Sequence, residues 1–307
     1  MRAITYSRHG DADVLELTEQ PDPKVGPDLV LVRVRAASVN PVDWKARQGH
    51  LDRIMDVQLP VVPGWDVAGV VERAGLDTPE LAPGDEVFGY VRKDWLHGGT
   101  FAELVAAPVR TLARKPASLS FEEAAAVPLA GLTALQTVRR TGVRAGQTVL
   151  VHAASGGVGG FAVQIARAAG ARVIGTASAA NHEHLRGRGV EPVEYGEGLV
   201  ERVRALAPGG VDVILHYGGA DGVAQAPELL APGGTIASIL DARARDELGG
   251  HYVWVRPDAE GLAELGRMID AGQVEVDVAA VLDLADAREA HRLSETGHVR
   301  GKVVVRV

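Results

Sequence analysis

The chain has no cysteine among its 307 residues. That removes disulfides, thiol nucleophiles and every zinc site built on thiolate ligands. Aromatic residues are scarce at 4%, and three of the four tryptophans, Trp44, Trp65 and Trp95, fall in the first third of the chain. No apolar run approaches the roughly 20 residues that cross a bilayer. Nor does the N-terminus show the charged-then-apolar pattern of a secretory leader. The expectation is a cytoplasmic protein without membrane partners. Positive charge is also in deficit: 32 Lys and Arg stand against 40 Asp and Glu, for a net charge of −8, with the basic residues dispersed. The electrostatic footprint of a nucleic-acid binder is therefore missing. No repeat and no low-complexity tail is visible.

What is present is a dense glycine-centred stretch over 148–178. Residues 148–152 are β-branched and aliphatic, as in a strand buried on both faces. Ala153 to Gly160 must turn, and Gly157-Val158-Gly159-Gly160-Phe161-Ala162 fits the G-x-G-x-x-G/A pattern that brings backbone close to a pyrophosphate. Helical spacing follows through Phe161, Val163, Ile165, Ala166 and Ala169, Gly170 suits a C-terminal cap, and 171–176 reads as a second strand. Strand, turn, helix and strand make a βαβ unit whose helix N-terminus offers free N–H groups to a phosphate. The candidates for that contact are Ala154, Ser155, Gly156, Gly157, Val158 and Gly159. An NAD site carries an acid about 20 residues past the glycines, on the ribose. Here the residues are Thr176-Ala177-Ser178-Ala179-Ala180-Asn181-His182, without a carboxylate to repel a 2′-phosphate. Ser178 and Asn181 are donors, and His182, His184, Arg186 and Arg188 follow, which favours NADPH over NADH.

Residues 1 to about 118 alternate in short segments punctuated by Pro and Gly, the pattern of a small all-β barrel or sandwich. Ser120 with Glu122 and Glu123 starts a helix, and Gly131 opens another. Past the βαβ unit, strands are expected at 192–195, 211–215, 235–239 and 251–255, with helices at 198–207 and 220–230. Alternation of this kind gives a parallel sheet with its ligand beyond the strand C-termini. Gly157, Ser178, Tyr195, Gly218 and Leu240 fall at such ends, with Gly219 beside Gly218. A helix is expected from Pro257 to Ala271, and a last strand at 301–307 is expected to return to the first domain.

Several separated motifs agree: Ser38-Val39-Asn40-Pro41-Val42-Asp43, Pro63-Gly64-Trp65-Asp66-Val67-Ala68-Gly69, Gly84-Asp85-Glu86-Val87, Pro128-Leu129-Ala130-Gly131-Leu132-Thr133, Ala154-Ser155-Gly156-Gly157-Val158-Gly159 and Gly301-Lys302-Val303-Val304. Over essentially its whole length the chain resembles the zinc-free quinone oxidoreductase branch of the medium-chain dehydrogenase/reductase superfamily. The resemblance implies an α/β protein: a GroES-like β-barrel domain, 1–118 completed by 257–307, and a Rossmann doubly wound parallel-sheet domain, 119–256. It further implies NADPH in the cleft between them and a homodimer joined through Rossmann sheet edges.

Zinc-dependent relatives bind a catalytic metal through a Cys and a His next to a Glu; Asn40 and Trp65 stand at those two positions, Trp65 preceding Asp66. The His182-x-His184 pair lacks a third ligand, so no metal is expected. Without a Lewis acid, alcohol oxidation loses its alkoxide stabiliser, whereas hydride delivery to a quinone or α,β-unsaturated carbonyl needs positioning and a donor for the enolate oxygen. Asn40, Asp43 and Thr133 are the candidates for that work. Each has a plainer reading: Asn40-Pro41 is a turn signal, Asp43 suits a helix cap, and Thr133 suits the first turn of a helix. Among the family's 2′-phosphate contacts, Ser178 and Tyr195 are matched, while a frequent basic residue is replaced by Ala180. His216-Tyr217 also departs from the family pattern, and His216 is open to a catalytic or a packing role. Trp65 is either a substrate wall or core. Two other readings stay open: an enoyl reductase dedicated to one biosynthetic route, and an NADPH-binding protein without turnover.

Overall fold

The computed structural model describes residues 1–219 and 221–307. They form an α/β protein that divides into two compact units, one of Met1–Leu132, Pro257–Asp270 and Val276–Val307, the other of Thr133–Arg256 and Ala271–Glu275.

In the first unit, β1 (Arg2–Thr5) and β2 (Glu16–Glu19) pair antiparallel. The long strand β3 (Leu29–Val39) leads through Asn40 into α1 (Pro41–Arg47), whose proline at the first turn has no N–H to lose there. β4 (Asp56–Val62), β5 (Asp66–Ala74), β6 (Glu86–Tyr90), β7 (Trp95–Gly98), β8 (Leu104–Pro108) and β9 (Leu112–Arg114) follow. β3 bonds to both β5 and β8, β5 to β6, and β6 to β9, all antiparallel. Period-two burial along β3 sends Val30, Val32 and Val34 into a core shared with Val67 and Val71 of β5, Val87 of β6 and Val105 of β8. β4 and β7 form a separate parallel ribbon. Helix α2 (Phe121–Ala125) opens on a capping box in which Ser120 Oγ accepts from Glu123 N and Glu123 accepts from Ser120 N. Helix α3 (Pro128–Thr141) begins three residues before the expected Gly131, because a distant carboxylate described below caps it.

The second unit holds β10 (Thr148–Val151), α4 (Gly157–Ala168), β11 (Arg172–Thr176), α5 (His182–Gly187), β12 (Glu191–Val193), α6 (Leu199–Leu206), β13 (Val211–His216), α7 (Ala226–Leu229), β14 (Leu230–Ser238), α8 (Arg243–Asp246) and β15 (His251–Tyr252). Its sheet runs β12-β11-β10-β13-β14-β15, every pair parallel, with the order reversing between β10 and β13. In such sheets ligands bind beyond the strand C-termini at that switch point. Leu150, Ile174, Val193, Ile214 and Ile236 from the strands pack with Val203 and Leu229 from the helices. Two expectations need correction. The helix expected at 220–230 is only the short α7, and Ala220 lies outside the described residues. β14 begins at Leu230 rather than Thr235, because Leu230 pairs with Val211 across a register shift that local periodicity does not reveal.

Back in the first unit, α9 (Ala259–Asp270), β16 (Val278–Asp283), α10 (Ala287–Glu295) and β17 (Lys302–Arg306) complete the chain. β17 lies between β16, to which it is parallel, and β3, to which it is antiparallel. The sheet order is β16-β17-β3-β5-β6-β9 with β8 branching at β3; among the described residues no ladder closes it into a barrel.

Candidate functional site

The turn after β10 is held by the end of β11. Ala153 N donates to Thr176 Oγ1 at 3.0 Å and Ala154 N to Thr176 O at 2.9 Å, while Ala153 takes φ +52°. Gly156 caps α4 and has no side chain to offer the helix. The amides of Gly157, Val158 and Gly159 are therefore the first of the helix, without intrahelical acceptors, at the positive end of its dipole. Gly159 is required here: a Cβ built on it would stand 2.1 Å from Ala153 O. Free amides, a glycine-lined approach and a helix N-terminus fit a diphosphate.

At the end of β11, Ser178 precedes a single 3-10 turn, Ala179–Asn181, and Asn181 Nδ2 donates to Ser178 Oγ at 3.2 Å. The Ser178 hydroxyl proton stays available to an outside acceptor. His182 Nε2 lies 3.3 Å from Ala177 O, which ties the ring to the backbone. Tyr195, past β12, is 55% exposed.

His216 ends β13, and its two ring nitrogens are both engaged. Nε2 lies 2.8 Å from Gly219 O, which can only accept, so the proton sits on Nε2. Nδ1 then accepts from Ser238 Oγ at 2.9 Å, and Ser238 Oγ in turn accepts from Leu240 N at 3.1 Å and Asp241 N at 3.0 Å. The loops after β13 and β14 are thus fastened through one imidazole and one hydroxyl. Burial lowers the His216 pKa. His152 packs edge-on against it, ring centroids 5.4 Å apart, and burial holds His152 neutral with a pKa of about 3. A Cβ on Gly222 would meet both rings, at 2.4 Å and 2.5 Å. His216 therefore packs and positions; as a proton carrier it has no free nitrogen. Ser238, His152 and Gly222 escape sequence reasoning, for no motif marks them.

In the first unit, Asn40 and Asp43 come together, and two further buried charges join them. Asn40 N donates to Asp43 Oδ2 at 2.7 Å, so the helix-cap reading of Asp43 is realised. Asp66 accepts on Oδ2 from Ser38 Oγ and Asn40 Nδ2, each at 2.8 Å, and on Oδ1 from Leu129 N at 2.8 Å, capping α3. Lys302 Nζ donates to Val39 O at 3.0 Å and to Asn40 Oδ1 at 2.5 Å, and stands 4.0 Å from Asp66. Burial raises Asp66 and lowers Lys302, each opposed by the other's charge, and raises Asp43 to about 7. With three donors and an ammonium around it, Asp66 carries the charge, and Asp43 is the group that takes up a proton. Thr133 falls in the second turn of α3 rather than its first; it is buried, and its carbonyl accepts from Thr137 Oγ1 at 2.9 Å.

Because the folded pKa of Asp43 exceeds the roughly 3.9 of an unfolded aspartate, its contribution to stability is complete below that value and is lost as pH rises through about 7. Asp43→Asn is accordingly expected to gain melting temperature relative to the parent between about pH 5 and pH 8. A difference that stays flat across that range in thermal melts would show that Asp43 is not the protonated member.

Beside the cluster opens a small pocket whose lining includes Tyr6, Asp43, Trp65, Lys93, Trp95 and Leu96. Trp65 is buried and edge-on to Tyr90, ring centroids 6.1 Å apart, so it serves as core and as pocket wall together. Among the described residues no group of three His, Cys, Asp or Glu is placed to hold a metal ion, and no helix is long and apolar enough to cross a membrane.

Residues 26–117 match the family described as alcohol dehydrogenase GroES-like domain, and residues 189–305 the family described as zinc-binding dehydrogenase. Over 316 aligned residues the chain is 35% identical to the chloroplastic NADPH-dependent alkenal/one oxidoreductase of Arabidopsis thaliana, spanning 99% of this chain and 79% of that protein. Among solved structures, the quinone oxidoreductase from Coxiella burnetii superposes with a TM-score of 0.89 at 34% identity, covering 100% of this chain and 99% of the other. A mycobacterial protein solved in complex with NADPH gives a TM-score of 0.86 at 30% identity, covering 100% of both chains.

Proposed function

Since the chain belongs to the medium-chain dehydrogenase/reductase superfamily, in its quinone oxidoreductase branch, we propose that it is an NADPH-dependent reductase of quinones or α,β-unsaturated carbonyls. The observation that carries this reading is the N-terminus of α4, free of any side-chain cap, with Gly159 letting the helix start pack closely on Ala153 O so that its first amides are left for a diphosphate. Ala154, Ser155, Gly156, Gly157, Val158 and Gly159 hold the diphosphate; Gly218 and Gly219, fixed by His216, border it; Ser178, Asn181 and Tyr195 receive the phosphorylated ribose end. When bound, NADPH supplies a hydride. The chain's own part is to orient the electron-poor double bond, exclude water and provide hydrogen bonds, through Asn40, Asp43 and Thr133.

The reaction runs without zinc in this reading. Asn40 commits its amide to Asp66 and its carbonyl to Lys302, and Trp65 offers no lone pair to a metal. The Lys302 ammonium supplies the positive charge among those buried oxygens. We further take the protein to be a cytoplasmic homodimer, an assembly supported by the place of β15 at the edge of the parallel sheet among the described residues.

The direct test is NADPH consumption against a panel of quinones and conjugated enones, with metal analysis of the active protein. Tight NADPH binding with no consumption across the panel would favour a binding protein instead. For the coenzyme, Ser178→Asp places a carboxylate at the 2′-phosphate and is expected to weaken NADPH by about 10- to 100-fold while sparing NADH. Calorimetric titration of both coenzymes reads this, and equal NADPH affinity in the variant would remove Ser178 from the phosphate site.

A further inference from the structure

The pocket beside the buried cluster is lined by a hydroxyl without a hydrogen-bond partner among the described residues and by an ammonium whose one acceptor is a backbone carbonyl. Tyr6 is 1% exposed and lines the pocket, yet its hydroxyl has no partner among the described residues. Lys93 also lines it; its ammonium donates only to Gly98 O, at 3.2 Å, and no carboxylate stands within ion-pair reach among the described residues. Its neighbours Arg92 and Asp94 pair with each other instead. Asp43, the acid in the lining, accepts from Asn40 N on its Oδ2. Around these donors the walls are flat and apolar: Trp65, Trp95, Val61 and Leu96. A buried hydroxyl and a desolvated cation left without anions in an aromatic-walled pocket are complementary to a planar ligand bearing a negatively charged oxygen.

We propose that Tyr6 and Lys93 form an oxyanion-binding pair that donates to the substrate's carbonyl oxygen as it acquires negative charge. This rests on the reductase reading above. In an enone, hydride brings its electron pair to the β-carbon, the C=C π pair shifts, and the charge settles on the carbonyl oxygen as an enolate; a proton from solvent then bonds the α-carbon and the C=O re-forms. In a quinone, the same input of hydride leaves one phenolate oxygen, which takes a solvent proton to give the hydroquinone. Both substrates pass through a conjugated oxyanion, which identifies the preferred class: planar cyclic or aryl-conjugated carbonyls rather than saturated aldehydes.

The test uses 4-nitrophenol as a coloured phenolate probe, titrated into the full-length protein in the presence of NADP⁺, with the Tyr6→Phe and Lys93→Met variants alongside. The parent is expected to bind the probe as its phenolate, with the yellow band appearing at lower pH than for free probe. Each variant is expected to weaken phenolate binding by about 10-fold and to return the band toward the free value. Lys93→Arg, which keeps the charge, is expected to retain most of the shift, and NADPH titration verifies that every variant is folded. Identical probe ionisation in parent, Tyr6→Phe and Lys93→Met would overturn the proposal. A parent that ionises the probe but reduces nothing in the panel would sink the reductase reading while leaving the oxyanion site standing.

Discussion

Replacing Lys302 with methionine is expected to destabilise the first unit by about 3–5 kcal/mol, the cost of leaving a buried carboxylate without its counter-ion. Lys302 is 5% exposed and Asp66 is fully buried, so water cannot compensate for the lost ammonium. Two further acceptors lose their donor in the same step, Val39 O and Asn40 Oδ1. Urea unfolding followed by tryptophan fluorescence measures it well, because Trp44, Trp65 and Trp95 all belong to that unit. Asp66→Asn combined with Lys302→Met removes both charges and is expected to recover much of the loss, since a neutral pair needs no mutual compensation. An unchanged urea midpoint for Lys302→Met alone would mean that Asp66 is not charged in the folded protein.

The second large effect is expected at Gly159. An alanine there is a better helix former by about 1 kcal/mol, so without a clash the substitution would stabilise α4. The Cβ, however, would stand 2.1 Å from Ala153 O and 2.8 Å from Ala154 Cα, both of them backbone atoms fixed by the end of β11. The helix start must move, and with it the amides of Gly157, Val158 and Gly159. Losing two charge-assisted bonds at about 1.5–3 kcal/mol each corresponds to a fall in NADPH affinity of at least about 100-fold. Because the diphosphate is common to both coenzymes, NADH is expected to weaken in parallel, in contrast to Ser178→Asp. Calorimetry on Gly159→Ala decides it: affinity within a few-fold of the parent would disconnect this turn from coenzyme binding.

The parts of this protein that sequence made legible are those whose determinants are local. Gly157 to Ala162, the β-branched run before it and the missing acid after it sit within one βαβ unit, and the six strands of the parallel sheet follow from alternating apolar runs and glycines. Ser120 and Glu123 announced their helix because both halves of the cap lie three residues apart. What stayed hidden depends on distant pairing. The start of α3 at Pro128 is set by Asp66, and β14 begins early because Leu230 finds Val211 across a bulge. The charge balance around Asn40 depends on Lys302, 262 positions further along the chain. No sequence window contains Tyr6, Asp43 and Lys93 together, so the shared pocket of the Tyr6 hydroxyl and the Lys93 ammonium shows itself only once the strands are assembled. Asp43 and Thr133 each carried a plainer structural reading beside the functional one, and in each case the helix claims part of the residue's bonding.

The Ser238 hydroxyl gives to His216 and receives from the backbone beyond β14, while His216 in turn grips the backbone beyond β13. Two segments separated in sequence therefore answer to a common knot. Anyone recasting this enzyme by transplanting loops from a relative must exchange the pair as one cassette, because a foreign segment on either side would slacken the other.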